Sequence, residues 1–251
     1  AYARALQLEP NHVEALIAQI GLHLDFNRLD DAARDVASLQ RVSPKEPRGS
    51  YFKALLAERK GQVPQAQAAL REVTSLLDPV PMSFMRYRSQ LLMLNGLAHH
   101  GLNEPEKARQ YGLAALNRAL DGVQGTTCVH ICFGYAAIIH ERPTGYSFLP
   151  ELSGCRCKQV SLETAQSHLD TSVLRQLEGK QFLLGCLDLS DLNVETPEVI
   201  ADRVRKALAH VKPEQIILAP DCGMKYLPRE VAQGKLQNMV AAAKQLRKEY
   251  A

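Results

Sequence analysis

Three residues able to bind metal or act as nucleophiles stand on alternate positions in Cys128-Val129-His130-Ile131-Cys132. In an extended strand side chains alternate between faces, so Cys128, His130 and Cys132 share one face and Val129 and Ile131 the other. Alone, the pattern has two readings, a small polar patch in a core or part of a metal site. Three further residues bear on the choice: Glu163, which closes the β-rich run "VSLE", Asp188 in "CLDLS", and the pair Asp221-Cys222 in "APDCG". Each follows a short run of strand type. An imidazole, two thiols and a carboxylate form a set that zinc accepts in four-coordinate geometry. A thiolate-rich zinc site has a chemical use, since it binds an incoming thiol and presents it as a thiolate nucleophile.

Those residues need a scaffold that brings strand ends together. From Thr126 onward, short β-rich runs, "TTCVHICF", "CKQVSLE", "QFLLGCLDL" and "EQIILAP", alternate with helical patterns. The helical patterns are "AQSHLDTSVLRQL", "PEVIADRVRKALAHV" and the closing "PREVAQGKLQNMVAAAKQLRKEY". Such alternation predicts parallel strands joined by helical crossovers. In parallel α/β folds functional residues collect at the carboxyl ends of strands, where His130, Cys132, Glu163, Asp188, Asp221 and Cys222 all fall. Cys128, deeper along its strand, is expected in the core. Cys186, inside a strand, reads as a buried small apolar residue. Cys155 and Cys157 read as loop thiols near the site. Tyr146 and Phe148 either line a substrate mouth or pack a loop.

The first part of the chain has another rhythm. Pro10, Pro44 and Pro79 recur 34 and 35 residues apart. Between them "NRLDDAA" and "GQVPQAQ" occupy equivalent places, and "GLNEPEKA" follows after a short insertion. Each unit reads as helix, Asn or Gly turn, helix, and a proline that ends it. Period and layout resemble tetratricopeptide repeats, although the usual tryptophan is absent. A repeat segment over 1–110 implies a scaffold, with a protein partner as the functional alternative. His99-His100 read as cations at a helix end, without chemistry.

The 251 residues carry 30 Lys and Arg against 27 Asp and Glu, a net charge of +3, with basic residues scattered. No nucleic-acid footprint and no apolar run of membrane-spanning length stands out. The opening "AYARALQLEP" has neither a starting Met nor a signal-peptide pattern and reads as the end of a helix, so the chain is expected to be a piece of a longer one. Six cysteines, all in the second half, are too sparse for a secreted disulfide framework and point to reduced thiols in the cytoplasm.

The motifs "VHICFGY", "VSLETAQS" and "LAPDCGMKYLP", with the joining helix "YGLAALNRALDGV", resemble the carboxyl-terminal catalytic barrel of the cobalamin-independent methionine synthase family. The resemblance runs over about 111–251. It implies zinc held by His130, Cys132, Glu163 and Cys222, and methyl transfer from a methyltetrahydrofolate-type donor to a thiol such as homocysteine. It also implies a role for Asp188 in catalysis and substrate binding, with Asp221 beside it in substrate binding or orientation. Two departures stand out. Ser190 occupies a place where the family carries a histidine, and the loop after Phe133 is long, with His140 as a candidate proton donor. Four strands are half of an eight-stranded barrel. The expected fold is therefore four parallel strands with helices, half of a TIM-type barrel over 111–251, behind an all-α segment over 1–110. Two further possibilities follow: a homo-oligomer that closes the open sheet edges, and a repeat-type interaction protein joined to an inactive remnant.

Overall fold

The computed structural model of the chain describes residues 1–134, 145–146 and 148–250. It divides into two compact units, Ala1–Ala119 and Leu120–Ala251. The division lies beyond the boundary expected at 110, because the helix α8 (Pro105–Ala119) runs through that point and packs within the first unit.

The first unit is all helical. It contains α1 (Tyr2–Leu8), α2 (Val13–Asp25), α3 (Leu29–Val42), α4 (Pro47–Arg59), α5 (Val63–Leu77), the short α6 (Met82–Met85), α7 (Ser89–Gly101) and α8. α2 packs on α3, α4 on α5 and α7 on α8. Each hairpin turns at a residue with left-handed backbone, Asn27 (φ 54°), Gly61 (φ 69°) and Asn103 (φ 59°). Those are the residue types that tolerate such a conformation and end helices. Leu16, Ile20, Leu24, Val36 and Leu39 form one apolar cluster and Leu70, Val73, Leu77, Leu92 and Tyr111 belong to another. The short helix α6 and a 3₁₀ turn at Arg86–Arg88 occupy the insertion. His99 is not a surface cation. It is 1% exposed, with Nδ1 2.7 Å from Glu104 and Nε2 2.9 Å from Asp78.

The second unit is a four-stranded parallel sheet in the order β1 (Cys128–Ile131), β2 (Gln159–Glu163), β3 (Gln181–Leu187), β4 (Ile216–Pro220). This is the expected fold class, half the strand number of a closed eight-stranded barrel. The inner strands β2 and β3 are buried almost throughout, with Val160, Leu162, Phe182, Leu184 and Leu187 at 0% exposure. That burial on both faces explains their nearly continuous apolar sequence. The crossover from β3 is the helix α9 (Pro197–Leu208), started by the Thr196 hydroxyl accepting from Val199 N–H and by Pro197 in its first turn. It buries Ile200, Ala201, Val204 and Ala207. The helix α10 (Arg229–Glu249) follows β4. Among the described residues no helix is long and apolar enough to cross a membrane.

One expected helix is absent. The segment "AQSHLDTSVLRQL" forms turns and a 3₁₀ helix at Thr171–Gln176. Its short polar side chains bond locally instead: Ser167 Oγ donates to Glu163 O, and Asp170 accepts from Ser172 N–H and Oγ. Such bonds compete with a helical ladder.

The loop between β3 and α9 is held from beneath by a buried ion pair. Lys235 of α10, 0% exposed, donates to Asp188 O (2.9 Å), Asn193 O (2.6 Å) and Glu195 Oε2 (2.5 Å). Glu195 Oε1 also accepts from Asp188 N–H and Arg203 Nη1. Burial works to raise the Glu195 carboxyl, but the hydrogen bonds from Lys235 and Arg203 outweigh it and hold it below its usual 4.5. Its contribution to stability is therefore complete above about pH 4.5 and is lost as pH falls through the depressed folded value. Lys235→Met leaves Arg203 as the remaining cation on Glu195 but removes the donor to three buried acceptors, and is expected to lower the unfolding free energy by about 1–3 kcal/mol at neutral pH. Urea unfolding of the full chain followed by circular dichroism checks it, and the deficit should shrink in acid.

Candidate metal centre

The parallel register sets the site. Ile131 pairs with Leu162, Glu163 with Gly185 and Gly185 with Ala219, so the carboxyl ends of all four strands lie at one edge of the sheet. Cys132 directly follows β1, Glu163 is the last residue of β2, and Cys222 comes two residues after β4. Together with His130 they bring four possible ligand atoms within 4.8 Å of one another. Cys132 Sγ and Cys222 Sγ are 3.2 Å apart although 90 residues separate them in sequence. Glu163 is wholly buried, Cys222 half-buried, and His130 and Cys132 open to the outside. One side of the group is thus walled by protein and the other accessible.

Local contacts orient each member. His130 Nδ1 lies 2.9 Å from Ser161 Oγ, its partner in the register, which leaves Nε2 as the free ring nitrogen. Glu163 Oε1 accepts from Phe133 N–H at 3.2 Å, and Gly134 N–H donates to Cys132 Sγ at 3.1 Å. Burial pushes the Cys132 thiol up to about 12, and the neighbouring Cys222 thiol and Glu163 carboxylate add to the rise. Thiols and a buried carboxylate crowded in this way repel once ionised, and a bound cation reverses that balance. Two soft sulfur donors, an imidazole and a carboxylate are a donor set that suits zinc.

Asp221 takes a different place from the one expected of a substrate contact. It is 0% exposed, and its carboxylate accepts from the N–H groups of Thr164 (3.2 Å), Ala165 (3.1 Å) and Gln166 (2.7 Å). Burial raises its pKa to about 6 against the pull of those three donors. Its carboxylate faces the turn after Glu163, not the mouth. Asp188, just past β3, turns its carboxylate on Ser190, accepting from its N–H at 2.8 Å and its hydroxyl at 2.5 Å. Asp188 is not among the four converging side chains. His140 lies outside the described residues.

The other cysteines sort by position along their strands. Cys186 is buried, as expected. Cys155 and Cys157 are buried at the amino end of β2, the edge of the sheet away from the four converging side chains, so they are not loop thiols of the site. Their carbonyls accept from the buried Lys180 Nζ. Cys128 is exposed, not core, because it is the first residue of an edge strand. Tyr146 is 8% exposed and packs against the strand ends instead of lining an opening.

Sequence inspection passed over Ser161 and Gly185. A lone glycine in the apolar strand "FLLGCL" was the available signal, since it marks a close approach. A Cβ at Gly185 would collide with Asp221 Oδ1 and stand 2.7 Å from Leu162 O. The missing side chain is the space into which Asp221 fits.

A four-stranded parallel sheet with helical crossovers and a thiol-imidazole-carboxylate cluster at its carboxyl edge defines a class, the α/β proteins built like part of an eight-stranded barrel. Within it, the family model described as cobalamin-independent synthase, catalytic domain, matches residues 129–245. The methionine synthase of Thermococcus kodakarensis is 31% identical over 152 residues, 60% of this chain and 42% of its own length. That of Pyrococcus abyssi is 32% identical over 150 residues, 59% of this chain and 41% of its own length. The solved structure of a B12-independent methionine synthase from Shewanella sp. W3-18-1, in complex with selenomethionine, aligns with a TM-score of 0.53 and 27% identity. The alignment covers 64% of this chain and 56% of that one. The second unit is thus similar to the catalytic domain of the cobalamin-independent synthases, and the chain spans about two-fifths of the length of the curated relatives it matches.

Gly185→Ala is expected to expel Asp221 from its seat and to lower the stability of the metal-free chain by about 1–3 kcal/mol, the range for overpacking. Urea unfolding in the presence of a chelator measures it, and an unchanged midpoint would show that the turn after Glu163 does not need Asp221.

Proposed function

We propose that the second unit binds zinc through His130, Cys132, Glu163 and Cys222 and serves methyl transfer to a thiol acceptor of homocysteine type, from a methyltetrahydrofolate-type donor. The observation that carries this is the convergence of the four side chains from three strand ends onto one centre open on one side. When bound there, zinc supplies Lewis acidity that lowers the pKa of an incoming thiol. The chain's own residues do the rest. Ser161 orients His130, Phe133 N–H holds Glu163, and the open side given by His130 and Cys132 admits the acceptor. Asp188 positions substrate at the end of β3, its backbone held by Glu195 and Lys235. In the overall transfer the acceptor sulfur loses its proton and forms the new bond to the methyl carbon. The carbon–nitrogen bond of the donor breaks, and the donor nitrogen takes up a proton.

The first unit, in this proposal, is a tetratricopeptide-like scaffold for a protein partner, supported by the three hairpins with their matching left-handed turns. The open edges of β1 and β4 suit closure by further strands, for which a second copy of the chain is one source. Reduced thiols at the site suit a cytoplasmic setting.

Purified chain is expected to carry close to one zinc, and Cys222→Ser to lose it, as measured by elemental analysis. A zinc content near zero, unaltered by that substitution, would falsify the metal assignment. With homocysteine and methyltetrahydrofolate, turnover is expected to fall at least about 10³-fold in Cys132→Ser, as expected on removal of an essential group. Zinc binding without turnover in the parent chain would instead leave the second unit as a binding remnant.

A further inference from the structure

Cys132 and Cys222 follow the first and the last strand of the sheet, with β2 and β3 between them, yet their sulfurs are 3.2 Å apart. The pair is reachable, since Cys132 is exposed and Cys222 half-buried. The other four cysteines are placed differently. Cys155, Cys157 and Cys186 are buried, and Cys128 is exposed at the amino end of β1.

Two sulfurs in such contact have two ways to settle. They can share a cation, as in the zinc proposal above, or they can join to each other. A disulfide brings its sulfurs to about 2.05 Å, so the pair has to close by roughly 1 Å. Both residues lie just outside their strands, past the last paired positions Ile131 of β1 and Pro220 of β4. That closure therefore breaks no strand pair. The bond also carries no charge, whereas two thiolates beside the Glu163 carboxylate repel it and each other.

We infer that Cys132 and Cys222 form a reversible thiol–disulfide pair, a second chemistry of the same centre that zinc opposes. The bond itself depends only on the two sulfurs, and its opposition by zinc rests on the zinc proposal above. The oxidant is a small disulfide of the glutathione class. The Cys132 thiolate, the more exposed of the two, attacks one of its sulfurs; that S–S bond breaks, one small thiol leaves, and a mixed disulfide remains on Cys132. The Cys222 thiolate then attacks Cys132 Sγ, the protein S–S bond forms and the second small thiol leaves. Two electrons pass from the cysteine pair to the small disulfide, and the two cysteine protons end on the departing thiols. The product ties the ends of β1 and β4 together and withdraws both sulfurs from any metal, which binds sulfur as thiolate. Reversible bonds of this kind are the ones compatible with a reducing compartment.

The full chain, reduced and freed of metal with a chelator, is equilibrated with oxidised glutathione, its remaining thiols are blocked, and linked peptides are mapped by mass spectrometry. A bond joining the peptides of Cys132 and Cys222 is expected, with loss of zinc binding that reduction restores. Cys222→Ser is expected to stop at the mixed disulfide. Zinc added beforehand at about ten times its dissociation constant is expected to suppress the bond about tenfold. A mixed disulfide that persists in the parent, or a bond joining other cysteines in its place, overturns the inference and leaves the zinc proposal intact. The Cys132–Cys222 bond in a chain whose reduced form binds no zinc supports the pair and overturns the zinc proposal. A bond that forms equally well in the zinc-loaded chain overturns the opposition by zinc. If Cys222→Ser does not fold, the linked peptides of the parent decide alone.

Discussion

Asp221 lies buried beneath the turn that follows β2, its carboxylate taking the N–H groups of Thr164, Ala165 and Gln166. These are the three residues after Glu163, and Asp221 is the residue before Cys222. A single side chain therefore ties the end of β2 to the end of β4 across the intervening strand. It can reach because Gly185, opposite Glu163 on β3, has no side chain in the way. Burying a carboxylate is costly unless donors meet it, and here the donors are main-chain groups left over where the strand ends. The arrangement satisfies the turn and sets the spacing of two donor residues at once.

A second buried charge does related work nearby. Lys235, without exposure on α10, gathers the carbonyls of Asp188 and Asn193 and the Glu195 carboxylate. The loop after β3 is thereby anchored to the outer helix, and Asp188 keeps its place at the same edge of the sheet. The carboxyl edge thus combines exposed reactive groups with a buried polar support, and at the amino edge Cys155, Cys157 and Lys180 are buried. Function at one edge and packing at the other is the division common in parallel α/β sheets.

Much of this was legible in residue order. Alternation of short apolar runs with amphipathic segments placed β1 to β4, α9 and α10 to within a few residues, because burial on both faces leaves a continuous apolar run and burial of one helix face leaves a periodic one. Recurrent prolines and Asn or Gly turns marked the helical hairpins for the same reason, since few residues tolerate the left-handed backbone of Asn27, Gly61 and Asn103. His130, Cys132, Glu163 and Cys222 could be picked out because their chemistry is unusual at strand ends. The segment 165–177 misled because its apolar spacing is helical while its Ser and Asp side chains bind the backbone locally.

Sequence by itself thus determined the types of donor, their order and the strands that bear them. It did not determine what Asp221, the second acid at a strand end, binds. Only the fold gives Asp221 three backbone donors in the turn after Glu163 and keeps it apart from the four side chains that converge. Nor did sequence reveal that Tyr146, Ser161, Gly185 and Lys235 serve the same edge. Their partners lie across the sheet or on another helix, and contacts between residues distant in sequence exist only once register and crossover have brought the chain together.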